Sequence, residues 1–409
     1  TSATCVTGLM VEDTPNFFTF KGHVVLLCLI KIGGLNIIAF GSFLALASKF
    51  GVSVKQHDSM EDFVNKGARL SARGMLTKVI IWSTGIEIIG MLFMQVFWNE
   101  SIPFKSVGDK WFNSLFHSVS AFNNAGISLF SEGLGDPLVA NNYYIHWVVT
   151  ILVFFGALGM MAIFNLFDPI ELRDRMKHPW KRISFSSKIA LYYSIILVVV
   201  GSVLYFWLEY DNTMEGMTGF EKVTTAVFQS VTRTSGFNTV DIGSIGVPML
   251  LVLVILMFIG SSSSSTGGGI KTSTLAIINA NVIATIRGKK QTQLWKRSIS
   301  SDLVARAFSV LMFFLIGNMV GLFLLCITES DILAMEGRNI LDLLFEQVSA
   351  MGTVGLSTGI SPNLSSAGKI VIVLSMIIGR VGTLTVAFAF TGKIISKNFK
   401  YPEGHTMVG

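Results

Sequence analysis

The chain has 409 residues, 51% of them hydrophobic and only 14% charged, with a mean hydropathy of +0.62. A soluble domain carries about 25% charged residues, so an ordinary soluble enzyme or binding module is excluded, and the 39 glycines and 32 phenylalanines suit closely packed helices that face acyl chains. The formal net charge of +6 would suggest nucleic acid in a soluble protein, but its distribution along the chain follows membrane topology instead.

Seven stretches reach the roughly 20 residues a helix needs to cross hydrocarbon: residues 23–48, 75–98, 145–167, 189–208, 248–278, 304–327 and 369–391. The fifth is interrupted by Gly260-Ser261-Ser262-Ser263-Ser264-Ser265-Thr266-Gly267-Gly268-Gly269, a run that no ordinary spanning helix contains. The connections sort by charge. Lys49, Lys55, Lys66, Arg69 and Arg73 follow the first stretch, and Arg173, Arg175, Lys177, Lys181, Arg182 and Lys188 follow the third. Arg287, Lys289, Lys290, Lys296 and Arg297 follow the fifth, and Lys393, Lys397 and Lys400 lie in the tail. The alternate connections are poor in Lys and Arg and hold Glu100, Asp109, Glu132, Asp136, Asp211, Glu215, Asp241, Glu329, Asp331 and Asp342. The positive-inside rule makes the basic set and the C-terminus cytoplasmic. Nucleic acid is therefore no expected partner.

Three of the acidic connections contain a short amphipathic stretch, at residues 111–122, 220–231 and 340–350. These are too short to span and suit re-entrant helices, whose following backbone is tolerated at membrane depth only where protein or water satisfies it. Each runs into a glycine: Asn123-Asn124-Ala125-Gly126, Arg233-Thr234-Ser235-Gly236 and Gly352-Thr353-Val354-Gly355. The chain's first residues, Thr4-Cys5-Val6-Thr7-Gly8, match them. The four glycines are 118, 110 and 119 residues apart. A second glycine signal follows each one, at Gly33-Gly34, Gly156-Ala157-Leu158-Gly159, Ile259-Gly260 and Gly379-Arg380-Val381-Gly382. The predicted fold is thus all-α and integral to the membrane, with four tandem span–pore helix–span repeats around one pore, the first N-terminally incomplete. The expected boundaries are 1–60, 61–183, 184–301 with the interrupted span, and 302–409 with the tail.

Four such loops around one axis can offer backbone carbonyls to a dehydrated cation. The expected ion-binding residues are Val6, Thr7 and Gly8; Asn124, Ala125 and Gly126; Thr234, Ser235 and Gly236; and Thr353, Val354 and Gly355. None is charged, which suits a monovalent rather than a divalent ion. The Ser/Gly run from Gly260 to Gly269 cannot face lipid and is expected to line the path below as a mobile constriction. Arg380, deep in the seventh stretch, is expected to reach this run, since a charge there is costly and usually functional. Glu87 is expected to be the buried partner of a Lys or Arg, Arg233 to pin its loop, and Asn113 and His117 to brace the second loop. Cys5, Cys28 and Cys326 are too dispersed for a zinc site or a disulfide framework. The six His and three Cys show no catalytic grouping, so no enzyme is expected.

With residues 1–9, Asn123 to Gly126, Arg233 to Thr239, Ser265 to Lys271 and Gly352 to Ser357 taken together, the chain resembles the membrane subunits of Ktr potassium uptake systems, within the Trk/Ktr/HKT superfamily. The resemblance covers essentially the whole chain. It implies potassium uptake across the plasma (inner) membrane, a homodimer with one pore per protomer, and gating by the Ser/Gly run. It also implies control by a cytosolic nucleotide-binding regulatory ring of KtrA-like or KtrC-like subunits, the nucleotide lying on that ring and no cofactor in this chain. A further span and pore helix would precede Thr1. Lys31 stands where the family usually has Gln, Asn36 where a glycine is common, and Ser261 to Ser265 replace a run richer in Gly and Pro. A cation symporter or a less selective sodium/potassium transporter of the same superfamily is the alternative. An inverted-repeat transporter is disfavoured because all four repeats run the same way.

Overall fold

The computed structural model describes residues 1–47, 72–99, 102–178, 183–335 and 337–382. The boundary at residue 60, residues 383–391 of the seventh stretch, Glu100, Lys49, Lys55, Lys66, Arg69, Lys181, Arg182, Lys393, Lys397, Lys400 and the side chain of Arg73 lie outside these. The described chain is helical apart from loops and one two-stranded hairpin, β1 (Gln293–Leu294) with β2 (Arg297–Ser298). Trp295 and Lys296 turn that hairpin with φ of 47° and 63°, as a two-residue reversal requires.

The first repeat supplies a helical turn, α1 (Ser2–Cys5), the short α2 (Thr14–Phe17) and the 28-residue α3 (Phe20–Ala47). In the second, α4 (Ala72–Phe97) leads to the re-entrant α5 (Val107–Phe122) and then α6 (Tyr143–Leu158). There α7 (Met160–Phe167) departs from α6 at 101° about Gly159, so the third predicted span is not straight. After α8 (Pro169–Lys177), the third repeat runs α9 (Phe185–Leu208), α10 (Gly219–Thr232), α11 (Val247–Phe258) and α12 (Thr272–Ile286). The fourth has α13 (Ser301–Thr328), the short α14 (Ser330–Leu333), α15 (Ile340–Met351) and α16 (Ser366–Val381). Among the described residues, three helices are long and apolar enough to cross a membrane alone: 22 residues of α4, 24 of α9 and 28 of α13. The bent α6–α7 pair makes a fourth.

Local chemistry explains where the re-entrant helices start. Ser106 Oγ accepts from Asp109 N at 3.1 Å before α5. Thr218 with Glu221 and Asn339 with Asp342 form capping boxes before α10 and α15. Each cap satisfies amides that would otherwise go unpaired at the helix start. Spans are clasped beside these helices. Glu209, ending α9, accepts the Gly246 amide at 3.0 Å, and Glu329, ending α13, accepts the Ser365 amide at 3.0 Å. Asn142, capping α6, reaches back to the Phe97 carbonyl at 2.9 Å.

The apolar core passes from one repeat to the next and closes on itself. Phe228, Val231 and Phe237 of the third repeat bury against Met94, Ile145 and Val149 of the second. Phe345, Val348 and Val354 of the fourth bury against Leu253 and Met257 of the third. Cys5 and Leu9 pack with Leu325, Ile372 and Met376 of the fourth. Val6 and Ile30 pack with Phe116 and Val119 of the second. The order 1-2-3-4-1 is therefore a ring. Its outer flank is apolar, with Phe313, Ile316, Val320, Phe323 and Ile327 of α13 all exposed, as helices immersed in acyl chains require.

Candidate functional site at the four-loop axis

The re-entrant helices end toward the centre of this ring. In repeats 1, 2 and 4 they stop in the same way. The amides of Val6, Asn124 and Thr353 donate to the carbonyls of Ala3, Ala121 and Ala350 at 3.2, 3.0 and 3.0 Å. The next amides, of Thr7, Ala125 and Val354, donate to Ser2, Ser120 and Ser349 at 2.9, 2.8 and 2.8 Å. This is a Schellman end, which needs a left-handed residue and usually takes glycine. Here Val6, Asn124 and Thr353 hold φ of 54°, 57° and 48°. Asn tolerates that region, but the β-branched Val6 and Thr353 rarely adopt it, and strain of this kind gathers at functional sites. Repeat 3 ends differently: Ser235 and Gly236 both donate to the Thr232 carbonyl, at 2.8 and 3.1 Å.

Two residues past these left-handed positions, and at the matching place in repeat 3, the chain meets the axis. Gly8, Gly126, Gly236 and Gly355 have φ of 101°, 66°, 71° and 98°. A methyl on Gly8 would stand 2.5 Å from the Ala125 carbonyl oxygen, and one on Gly236 2.6 Å from that of Val354. One on Gly126 would collide with the Ser235 carbonyl, and one on Gly355 with that of Thr7. Each glycine thus abuts the carbonyl preceding the next glycine around the ring, and only the absence of a side chain allows the approach. All twelve predicted loop residues are brought together here, and Val6, Thr7, Asn124, Ala125, Ser235, Thr353 and Val354 are at most 1% exposed. The buried oxygens Thr7 Oγ1, Asn124 Oδ1 and Thr353 Oγ1 have no partner among the described residues.

The Ser/Gly run crosses directly beneath. Between Phe258 and Thr272 the chain leaves helix and is held by backbone bonds across repeats. Ser262 N donates to Ala157 O at 3.0 Å, Thr266 N to Gly156 O at 3.3 Å, and Met160 N to Ser264 O at 3.0 Å. The bend at Gly159 is what frees these groups on α6 and α7. Asn124 Nδ2 donates to Thr266 Oγ1 at 2.7 Å, which donates to the Phe122 carbonyl at 3.2 Å. A methyl on Gly268 would collide with Thr353 Oγ1. Ser261 and Ser265 bond each other at 2.5 Å, and Ser263 bonds Ser273 at 2.6 Å. Within the predicted constriction, then, Thr266, Gly267 and Gly268 lie against the loops, whereas Ser263 and Ser264 face α12 and the α6–α7 bend.

Four cationic side chains and one carboxylate lie at or beside this floor. Arg380, 7% exposed, donates to the carbonyls of Thr266 and Gly33, so one guanidinium ties α16 to the run and to α3. Its partners are carbonyls, not serine hydroxyls. Arg233 donates to Leu256 O at 2.8 Å and to Ile259 O, fastening the third loop to the point where α11 stops. Lys271 donates to Gly267 O at 2.5 Å. At the seam of repeats 1 and 2, Lys31 pairs with Glu87 at 2.6 Å, and Glu87 also accepts from Asn123 at 2.8 Å. The pair neutralises two charges that would be costly unpaired at this depth.

Sequence reasoning missed a serine six residues before every glycine: Ser2, Ser120, Ser230 and Ser349. Ser2 and Ser349 accept the amides of Gly8 and Gly355 at 2.9 and 3.0 Å. Ser120 donates to Ile127 O at 2.7 Å, and Ser230 to Val198 O at 2.7 Å. Aligning the four loops on their glycines exposes this column. The same alignment explains the second glycine signal in repeats 1, 2 and 4, whereas Gly260 of repeat 3 abuts the Gly268 carbonyl of its own run. Methyls on Gly33, Gly156 and Gly379 would strike the carbonyls of Thr4, Phe122 and Met351, each four residues before its repeat's first glycine. These glycines let the second span rest on the end of the re-entrant helix.

Four helical repeats that bring uncharged loops to one axis inside an apolar shell define a membrane transport protein. The profile of the TrkH family, cation transport protein, matches residues 1–400, and the chain belongs to that family. It is accordingly a transporter and not an enzyme. It is 35% identical over 415 residues to the Ktr system potassium uptake protein B of Bacillus subtilis, covering all of this chain and 88% of that one. It is 33% identical over 420 residues to the protein of the same name from Vibrio alginolyticus, covering 86% of it. The Potassium/sodium uptake protein NtpJ of Enterococcus hirae is 33% identical over 417 residues, 88% of its length. The crystal structure of the potassium transporter TrkH from Vibrio parahaemolyticus shares the fold. Its TM-score is 0.70 at 16% identity, over 95% of this chain and 76% of that one.

Proposed function

We propose that the chain carries potassium into the cell across the plasma membrane, through the axis where the four glycine loops meet. The observation that carries this reading is the closed ring, each glycine seated against the carbonyl before the next. Carbonyl and hydroxyl oxygens of Val6-Thr7-Gly8, Asn124-Ala125-Gly126, Thr234-Ser235-Gly236 and Thr353-Val354-Gly355 replace the water of a monovalent cation. Among the described residues no carboxylate enters the ring, which disfavours divalent ions. The relatives named for potassium uptake support the choice of ion. The Ser/Gly run from Gly260 to Gly269, held by Arg380, closes the path beneath and opens by moving away. The membrane potential supplies about 2.3 kcal/mol per charge per 100 mV, sufficient to drive uptake. The repeats are residues 1–60, 61–183, 184–301 and 302–409, with basic connections cytoplasmic. A homodimer under a cytosolic nucleotide-binding ring completes the assembly, as a Ktr-type subunit would have it.

The test is rubidium uptake, with sodium as competitor, in cells lacking their own potassium transporters. Parent protein should restore uptake, Gly236→Ser should lose discrimination against sodium, and deletion of Ser261 to Ser265 should raise flux. Unchanged discrimination in Gly236→Ser at equal protein amount removes the ring from the reading. The relative named for potassium and sodium uptake supports a second reading, a less selective pore, marked by parent protein in which sodium competes on nearly equal terms.

A further inference from the structure

Behind two of the four loops, the side chain nine residues before the glycine is titratable and wholly buried. These are His117, before Gly126, and Glu346, before Gly355, both 0% exposed. Each grips the serine two residues after that same glycine. His117 Nδ1 lies 2.8 Å from the Asn113 carbonyl. That oxygen only accepts, so Nδ1 holds the proton and Nε2 is the acceptor. Nε2 accepts from Ser128 Oγ at 3.0 Å, and Ser128 Oγ accepts the Phe130 amide at 3.0 Å. In repeat 4, Glu346 accepts from Ser357 Oγ on one oxygen and from Ser361 Oγ at 2.8 Å on the other. Ser357 Oγ accepts the Gly359 amide at 2.9 Å. Two unrelated side chains therefore supply an acceptor at one place, to a serine in one geometry.

The other described loops lack the device. Repeat 3 has Val227 and Asn238 at these positions, and Asn238 turns to the Val240 carbonyl at 3.1 Å. Repeat 1 has Met10 in place of the serine. Repeats 2 and 4 face each other across the ring, so the restraint acts along one diagonal. No cation pairs with Glu346 among the described residues, and an unpaired buried carboxylate costs free energy. Packing alone does not account for a carboxylate there; holding the loop does.

We infer that His117 and Glu346 are positioning residues which, through Ser128 and Ser357, fix the limbs beyond Gly126 and Gly355 and thereby set ion discrimination. The inference rests on the ring being the selective element. The test uses the full-length chain, rubidium uptake with sodium competition, and immunodetected protein amount. Ser128→Ala and Ser357→Ala remove the grip with one atom each. Each should lower discrimination against sodium about threefold to tenfold, the scale of one lost buried hydrogen bond, at unchanged protein amount, and the double variant should fall further. His117→Gln, which keeps an acceptor, should retain most of the discrimination that His117→Leu loses. If both serine variants discriminate within twofold of the parent while Gly236→Ser does not, the latch is wrong and the ring stands. If Gly236→Ser also discriminates like the parent, the ring itself fails and the latch with it. Reduced protein with unchanged discrimination overturns the inference too, by leaving the latch a folding role only.

Discussion

The two halves of the four repeats obey different rules. At the loops the repeats converge: every one carries a positive-φ glycine and a serine six residues earlier, and three share one helix end. In the second spans they diverge beyond the glycine that rests on the re-entrant helix. α3 continues through Gly33-Gly34 without a break, α6 turns by 101° at Gly159, and α11 stops for a ten-residue Ser/Gly run. α16 ends at Gly382, with φ of 91° beside the 90° of Gly159. A binding site for a spherical ion gains from equal oxygens on all sides. A constriction that moves needs one element weaker than its neighbours. On the proposed reading, the loops serve the first requirement and the run beneath them the second.

The strongest way to break this comparison is to add one atom to the ring. Gly126→Ala places a methyl against the Ser235 carbonyl and Gly236 Cα while forcing alanine to a φ of 66°. Strain and overpacking together cost about 3 kcal/mol or more. Rubidium uptake should fall at least a hundredfold, with protein still in the membrane. Uptake within tenfold of the parent means that the loops do not meet as closely as described.

Arg380→Gln separates the halves in the opposite sense. Losing the guanidinium leaves the Thr266 and Gly33 carbonyls short of a donor, and each buried bond lost weakens the run's seat by about 1–3 kcal/mol. Flux should rise severalfold, up to about tenfold, with discrimination against sodium unchanged, because among the described residues the hydrogen bonds of Arg380 go to Thr266 and Gly33 and not to a loop carbonyl. A change in discrimination at constant flux would falsify the division of labour between the two halves.

The loops were far more legible in the sequence than the floor beneath them. Glycine at a positive φ is a one-residue requirement, so the four positions stand out once the repeats are in phase. The break in the fifth span is equally visible, since its composition is incompatible with lipid. By contrast, Gly156 and Gly159 stand out in the sequence, but the apolar stretch around them reads as a straight span and does not announce the 101° bend. The contact of Arg380 with the run was expected, but its bond to the Gly33 carbonyl, 347 positions away, was not, and no periodicity encodes such a distance. Glu346 lies in a helix whose pattern marks it only as a face residue. Its meaning appears when it is set beside His117 in the second repeat.

The smallest expected effect lies where the halves touch. Thr266 Oγ1 is the hydroxyl that takes the Asn124 amide at 2.7 Å and gives its own proton to Phe122 O at 3.2 Å, linking the run to the second loop. Thr266→Val keeps the shape and removes both bonds, leaving the Asn124 side-chain amide without that acceptor, at a cost of about 1–3 kcal/mol. The loss falls on the closed arrangement, so flux should rise about twofold to fivefold. Asn124 also holds one of the left-handed positions of the ring, so discrimination should shift with flux, unlike in Arg380→Gln. A variant that raises flux and leaves discrimination untouched would show that Asn124 is held by its Schellman end alone, and that the run can move without the ring responding.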